Sequence, residues 1–117
     1  MKKAASVAGF EIVRAPHPIV DIGINLAHKD FSADLKQILE RCKSANVTSL
    51  ILTGTSLKSS RECVRMAKEL ADCGLSLQAT VGQHPHDAKH YEHAAMVKLA
   101  ESSNVAIVGE CGIDFDR

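Results

Sequence analysis

The sequence has no tryptophan, one tyrosine and three phenylalanines in 117 residues, so its core has to be built from Leu, Ile, Val and Ala. It carries no net charge at neutral pH, with 14 Lys and Arg against 14 Asp and Glu. That balance excludes a protein that holds nucleic acid by basic charge alone, although a bound cation could supply the missing positive charge. No apolar run approaches the roughly 20 residues of a membrane span, and no membrane partner is expected. Met1-Lys2-Lys3 followed by Ala4 to Phe10 imitates a secretory signal, but its apolar part is short, holds Ser6 and Gly9 and runs into Glu11. A signal peptide is therefore rejected. Cys-x-x-Cys pairs are missing too. Cys42, Cys63, Cys73 and Cys111 read as reduced thiols of a cytoplasmic or nuclear protein. Cys42 and Cys63 fall inside helical patterns and are expected as small core residues. What remains, 45% hydrophobic and 24% charged residues, suits one small globular domain.

Residues 1–17 read as an N-terminal extension, with a short strand expected at 10–13 and a break at Ala15-Pro16-His17-Pro18. His17, between prolines, is expected in a solvent-facing loop. From residue 18 to 117 apolar strands and helical patterns alternate. A strand is expected at 19–26, where Asp21, Gly23 and Asn25 point one way and Val20, Ile22, Ile24 and Leu26 the other. A helix follows at 31–44, with Phe31, Leu35, Ile38, Leu39 and Cys42 as its inner stripe and Asp30 or Ser32 as its cap. The next strand is 47–53. A second helix, 57–73, is opened by Ser56 or Ser59, packs through Cys63, Met66, Ala67 and Leu70, and is stopped by Gly74. A third strand at 75–81 leads through a loop, 82–87, into a helix at 91–102 with Ala95, Val97, Leu99 and Ala100 available for packing. The last strand begins at Val105.

This order demands an α/β fold with a parallel sheet and right-handed crossovers. At roughly 28 residues per unit it matches the pitch of a (β/α)8 TIM barrel, which needs about 250 residues. Residues 18–117 then amount to half of such a barrel.

The stretch 105–117, VAIVGECGIDFDR, concentrates the chemistry. An apolar strand runs straight into Glu110 between two glycine-containing steps, at the strand end where parallel α/β folds bind ligands. A carboxylate at the end of an apolar run is ordinarily paired or bound to a cation. The plain structural alternative is a Glu that caps a helix or pairs with a lysine. Polar clusters follow three of the strands: Asp21/Asn25, His84/His86/Asp87 and Glu110/Asp114. Barrel geometry brings such strand ends onto one rim, where Glu and His from different strands suit a divalent ion that activates water. His84-Pro85-His86 could equally be polar surface. A metal site on one helix from His86, His90 and His93 is a weaker option. Lys58, Arg61, Arg65 and Lys68 read as a solvated face partnered by Glu62 and Glu69. The hydroxyls of 53–56 suit either a phosphate at a helix N-terminus or ordinary caps.

Taken together, Asp21-Ile22-Gly23-Ile24-Asn25-Leu26, Leu52-Thr53-Gly54-Thr55, Gly82-Gln83-His84-Pro85-His86 and Gly109-Glu110-Cys111-Gly112-Ile113-Asp114-Phe115 resemble the TatD family of metal-dependent deoxyribonucleases, in family order and spacing. The resemblance covers residues 19–117. It implies an amidohydrolase-like TIM barrel that uses a divalent cation (Mg, Mn or Zn, not distinguished by sequence) to cleave DNA phosphodiesters, often from the 3′ end. Glu110 matches the family's metal-ligating glutamate. His84 and His86 match a G-x-H-P-H loop, with an inferred role on the substrate side of the site. Asn25, Asp21 and Asp114 are expected to line or support that site. Many members carry H-x-H where this chain has Gly23 and Asn25, which reshapes one metal position. The family's later histidine ligands and its strand-eight aspartate have no counterpart in 117 residues. Two functions follow: a TatD-type nuclease represented by its N-terminal half, or a non-catalytic half barrel that dimerises or pairs with a complementing half. A third option, hydrolysis of a small ester or amide, shares the same rim.

Overall fold

The computed structural model describes residues 6, 7 and 9–116. Its centre is a four-stranded, wholly parallel sheet in the order β3 (Ile19–Ile24), β4 (Val47–Leu52), β5 (Ser76–Val81), β6 (Val105–Val108). Helices α1 (Leu35–Ser44), α2 (Leu57–Glu69) and α3 (His93–Ala100) make the crossovers. A two-stranded antiparallel hairpin, β1 (Ser6–Val7) and β2 (Phe10–Glu11), precedes them. The expected β-α-β-α-β-α-β order is therefore present.

One core binds the layers. Leu50 and Leu52 of β4 and Leu77, Ala79 and Val81 of β5 are buried at alternate positions against Leu39 of α1, Cys63, Val64, Met66 and Ala67 of α2, and Met96 of α3. Period-two burial on the strands joins the helices' inner stripes in a single cluster, which places the three helices on one face. The other face carries exposed Gly23 and Gln78 and half-buried Ser49 and Ile51. Each fully buried Leu or Met contributes about 1.5–3 kcal/mol by leaving water, so β4, β5 and α2 hold most of the stability.

Local chemistry sets the element ends. Ser56 and Ser59 form a capping box at the start of α2, the Ser56 hydroxyl accepting from Ser59 N. After α2, Gly74 takes φ +88, which few other residues tolerate. Asn46 sits at φ +68 between α1 and β4, a place Asn fills more readily than most.

Several boundaries differ from the sequence reading. The first helix begins at Leu35, after a separate 3-10 turn at Lys29–Phe31 capped by His28, because the cap signals at Asp30 and Ser32 belong to that turn. The last helix buries Met96 and leaves Val97 exposed. The loop after β5 coils into 3-10 turns at Pro85–His90. Residues 12–17 contain no strand, and Arg14 docks instead on the α1–β4 turn, its guanidinium donating to Lys43 O at 3.0 Å and Asn46 Oδ1 at 3.2 Å. The Asn46 amide returns a bond to Ala15 O at 3.0 Å. His17 is exposed, as expected.

Candidate functional site

The carboxyl ends of β4, β5 and β6 are stitched together by backbone and hydroxyl bonds. Gly54 N donates to Thr80 Oγ1 at 2.9 Å, His84 N to Thr55 O at 2.7 Å, and Gly109 N to Val81 O at 2.9 Å. Gly82 is needed where β5 meets the segment after β6: a Cβ there would stand 2.2 Å from Glu110 O and from Gly109 C. This close approach sets His84 beside Glu110.

His84 caps the following 3-10 turn. Its Nδ1 accepts the His86 N–H at 3.0 Å, which leaves Nε2 as the protonated nitrogen, 3.3 Å from Glu110 Oε1. His86 makes a second pair, Nε2 to Asp114 Oδ2 at 2.8 Å, and the other Asp114 oxygen accepts Asp116 N at 2.8 Å. The two imidazoles lie edge to face with centroids 4.4 Å apart. Glu110, His84, His86 and Asp114 thus form one cluster at a strand end, reachable from solvent. Two imidazole–carboxylate pairs side by side can hold or pass a proton.

Asp21 sits in an irregular stretch of β3. Asp21 is paired with Leu50 and Ile24 with Leu52, three steps on one strand against two on the other. The extra residue breaks the expected alternation of Asp21, Gly23 and Asn25. Asp21 accepts from Gly23 N at 3.2 Å and lies near enough to Cys42 on α1 to add to the rise in that thiol's pKa, which comes first from burial. Asn25 follows β3, exposed, its carbonyl accepting from His28 N at 3.1 Å. Among the described residues neither is bonded to the histidine–carboxylate cluster.

The hydroxyl-rich start of α2 serves as a cap. Thr55 N and Ser56 N both donate to Ser59 Oγ, at 2.8 and 3.0 Å, so these amides are already engaged. On the outer face of α2, Arg65 pairs with Glu62 and Glu69, and this holds the Glu62 carboxyl below its ordinary range.

Among the described residues no group of three or more His, Cys, Asp or Glu could hold an ion, the His86/His90/His93 option included. His84 Nδ1 is already engaged as an acceptor of the His86 N–H, and its Nε2 faces Glu110 at 3.3 Å. Sequence reasoning passed over the buried polar residues around the rim: Ser60, Thr80 and Gln83. Ser60 Oγ bridges Gly82 N and O, whereas Gln83 donates to Asp87 O at 2.9 Å while its Oε1 has no partner. Their position beside Gly54 and Gly82, where backbone comes close, was the available signal.

Among known proteins, the chain is similar to the 3'-5' ssDNA/RNA exonucleases TatD of Escherichia coli (35% identical over 100 residues) and Rahnella sp. (41% over 100 residues). Each match covers 83% of this chain and 37% of the relative, so the chain spans little more than a third of the relatives' length. By fold it matches a hydrolase TatD family protein from Entamoeba histolytica, with a TM-score of 0.75 at 21% identity, over 86% of this chain and 39% of that one. An uncharacterized amidohydrolase from Saccharomyces cerevisiae gives 0.72 at 24% identity, over 87% and 39%. The four-stranded parallel unit is thus the half of a TIM barrel that the strand pitch predicts. The model of the TatD related DNase family matches residues 20–117, and the chain belongs to that family.

Proposed function

We propose that residues 18–117 form the N-terminal half of a divalent-metal-dependent nuclease domain that removes nucleotides from the 3′ end of single-stranded DNA or RNA, with 1–17 as an extension. The relatives' named activity supports the reaction class and substrate. The observation that carries the reading is Glu110, held at the end of β6 within 3.3 Å of His84 Nε2 and beside the His86–Asp114 pair. Glu110 would supply one oxygen ligand to the cation, and the remaining ligands would come from outside the 117 residues. The histidines would line the substrate side of the site. Asn25, at the end of β3, would line the same rim, and Asp114 would hold His86 in place. The four unpaired cysteines fit a reducing compartment, cytoplasm or nucleus, and no helix among the described residues is long and apolar enough to cross a membrane.

The test starts with the intact mass of the native protein. About 30 kDa, the size of a whole barrel, is expected. That protein should degrade single-stranded DNA only with a divalent ion, and Glu110→Gln should lower the rate by about 100-fold or more. Undiminished metal-dependent cleavage in the variant would sink the assignment. A second reading draws on the lack, among the described residues, of a group that could hold a metal, and on β3 and β6 as the outer strands of the sheet: a half barrel without activity of its own that works by pairing. A native mass near 12.6 kDa without nuclease activity would select it.

A further inference from the structure

Helix α2 carries four cations, Lys58, Arg61, Arg65 and Lys68, against two carboxylates, Glu62 and Glu69, in a chain whose total charge is zero. At about 100° per residue the four cations fall within an arc of about 80°, and all four are exposed. The opposite side of the helix, Cys63, Val64, Met66 and Ala67, is buried in the core. Sequence alone pairs the charged face with Glu62 and Glu69, but the structure spends both carboxylates on Arg65. Its Nε donates to Glu62 Oε2 at 2.9 Å, and its terminal nitrogens reach Glu62 and Glu69. Lys58, Arg61 and Lys68 have no acidic partner among the described residues. Like charges one helical turn apart repel, so this face is held ready for an anion from outside.

We infer that Lys58, Arg61 and Lys68 form a track for the phosphate backbone of a nucleic-acid single strand whose end lies at the Glu110–His84 rim; the inference rests on the nuclease reading above. Position supports it first. Thr55 O accepts the His84 N–H at 2.7 Å, Ser56 caps α2, and Lys58 stands on the first turn. The stripe therefore starts beside the histidine loop and runs about 15 Å down the outside of the fold. Its spacing supports it next. Axial steps of about 4.5 to 6 Å between neighbouring cations let long side chains meet a linear polyanion one phosphate at a time. Such contacts hold a strand without reading its bases. A neutral chain can still attract a polyanion in this way, because the attraction is local. A lipid surface fits less well: an interfacial helix inserts an apolar face, and that of α2 is already spent on the core.

Binding is read by fluorescence anisotropy on the whole native protein, with a labelled oligothymidylate of about 15 nucleotides and EDTA present so that nothing is cleaved. The plot of log affinity against log salt should flatten by about 0.7 for each cation removed. Arg61→Gln with Lys68→Gln should therefore flatten it by about 1.4 and weaken binding about 15-fold at about 0.15 M salt. Lys36→Gln with Lys98→Gln, which removes the same charge from exposed positions on α1 and α3, should leave the slope unchanged. Glu62→Gln with Glu69→Gln releases Arg65 and should tighten binding with a slope steeper by about 0.7, a gain that misfolding does not produce. Equal slopes for the stripe pair and the control pair would overturn the inference. So would failure to bind the single strand, or pelleting with phosphatidylserine vesicles by a protein that ignores the oligonucleotide. The assay needs no cleavage, so a protein that binds through the stripe without hydrolysis counts against the proposed reaction and leaves the track standing. A working nuclease whose stripe pair keeps the original slope does the reverse.

Discussion

Strands β5 and β6 are neighbours of similar apolar character, yet they live in different surroundings. Val81, at the end of β5, is 2% exposed, and its register partner Val108, at the end of β6, is 72% exposed. β5 lies between two strands and beneath α2, whereas among the described residues β6 has one strand neighbour and no helix over its end. Hydrophobicity in sequence therefore reports what a strand is prepared to bury, and the neighbouring elements decide what it does bury. The polar residues follow the same division. The Ser60 and Thr80 hydroxyls under the centre each have a partner, while Gln83 beside β6 keeps an orphaned oxygen.

The comparison breaks most easily by truncation. Leu52→Ala, in the sealed centre, is expected to cost about 3 kcal/mol, and Val108→Ala at the open edge under about 0.5 kcal/mol. Urea denaturation measures both, and equal losses would erase the distinction. Next in size is Gly82→Ala, whose Cβ would drive the end of β5 against Gly109 and Glu110. A loss of about 2 kcal/mol is expected, with amide resonances of 109–114 displaced and those of β4 unmoved. Ser56→Ala removes one arm of the capping box and should cost about 1 kcal/mol, visible as a lower midpoint at unchanged m-value.

Alkali offers the gentlest probe. Burial pushes the Cys63 thiol from its ordinary 9.0 to about 11. Between those values the unfolded chain releases a proton that the folded chain keeps, so stability holds below pH 9 and declines as pH rises towards 11. Cys63→Ala should flatten that decline. Throughout the window Cys111, at the exposed end, should alkylate well before Cys63, and simultaneous reaction would contradict the sealed centre.

Much of this was legible in the sequence. The strands declared themselves through β-branched runs ended by glycine or polar residues, and α2 through a Ser cap, a clean stripe at Cys63, Met66 and Ala67, and Gly74. Glu110 and the His84-Pro85-His86 turn were legible as chemistry because a carboxylate and two imidazoles stood at strand ends. The inner face of α3 was misread because alanines and Val97 offered several equivalent stripes, and the shape of the sheet chose Met96. The strict alternation expected of Asp21, Gly23 and Asn25 fails because the irregularity in β3 is a property of its pairing with β4, which alternation cannot reveal. The docking of Arg14 on Lys43 O and Asn46 Oδ1 is a tertiary contact with no local signature.

One feature of the topology reaches beyond the finished fold. Strand order across the sheet is the same as strand order along the chain, β3-β4-β5-β6. Each strand emerging from a ribosome therefore meets, as its partner, the strand made just before it. Loop closure at every step spans a single βα unit, so its entropic cost stays nearly constant as synthesis proceeds. Growth of this kind is a polymerisation with a living end. The nascent chain presents one edge ready for the next strand, and that edge is the place where a chaperone, or a wrong partner, would first make contact.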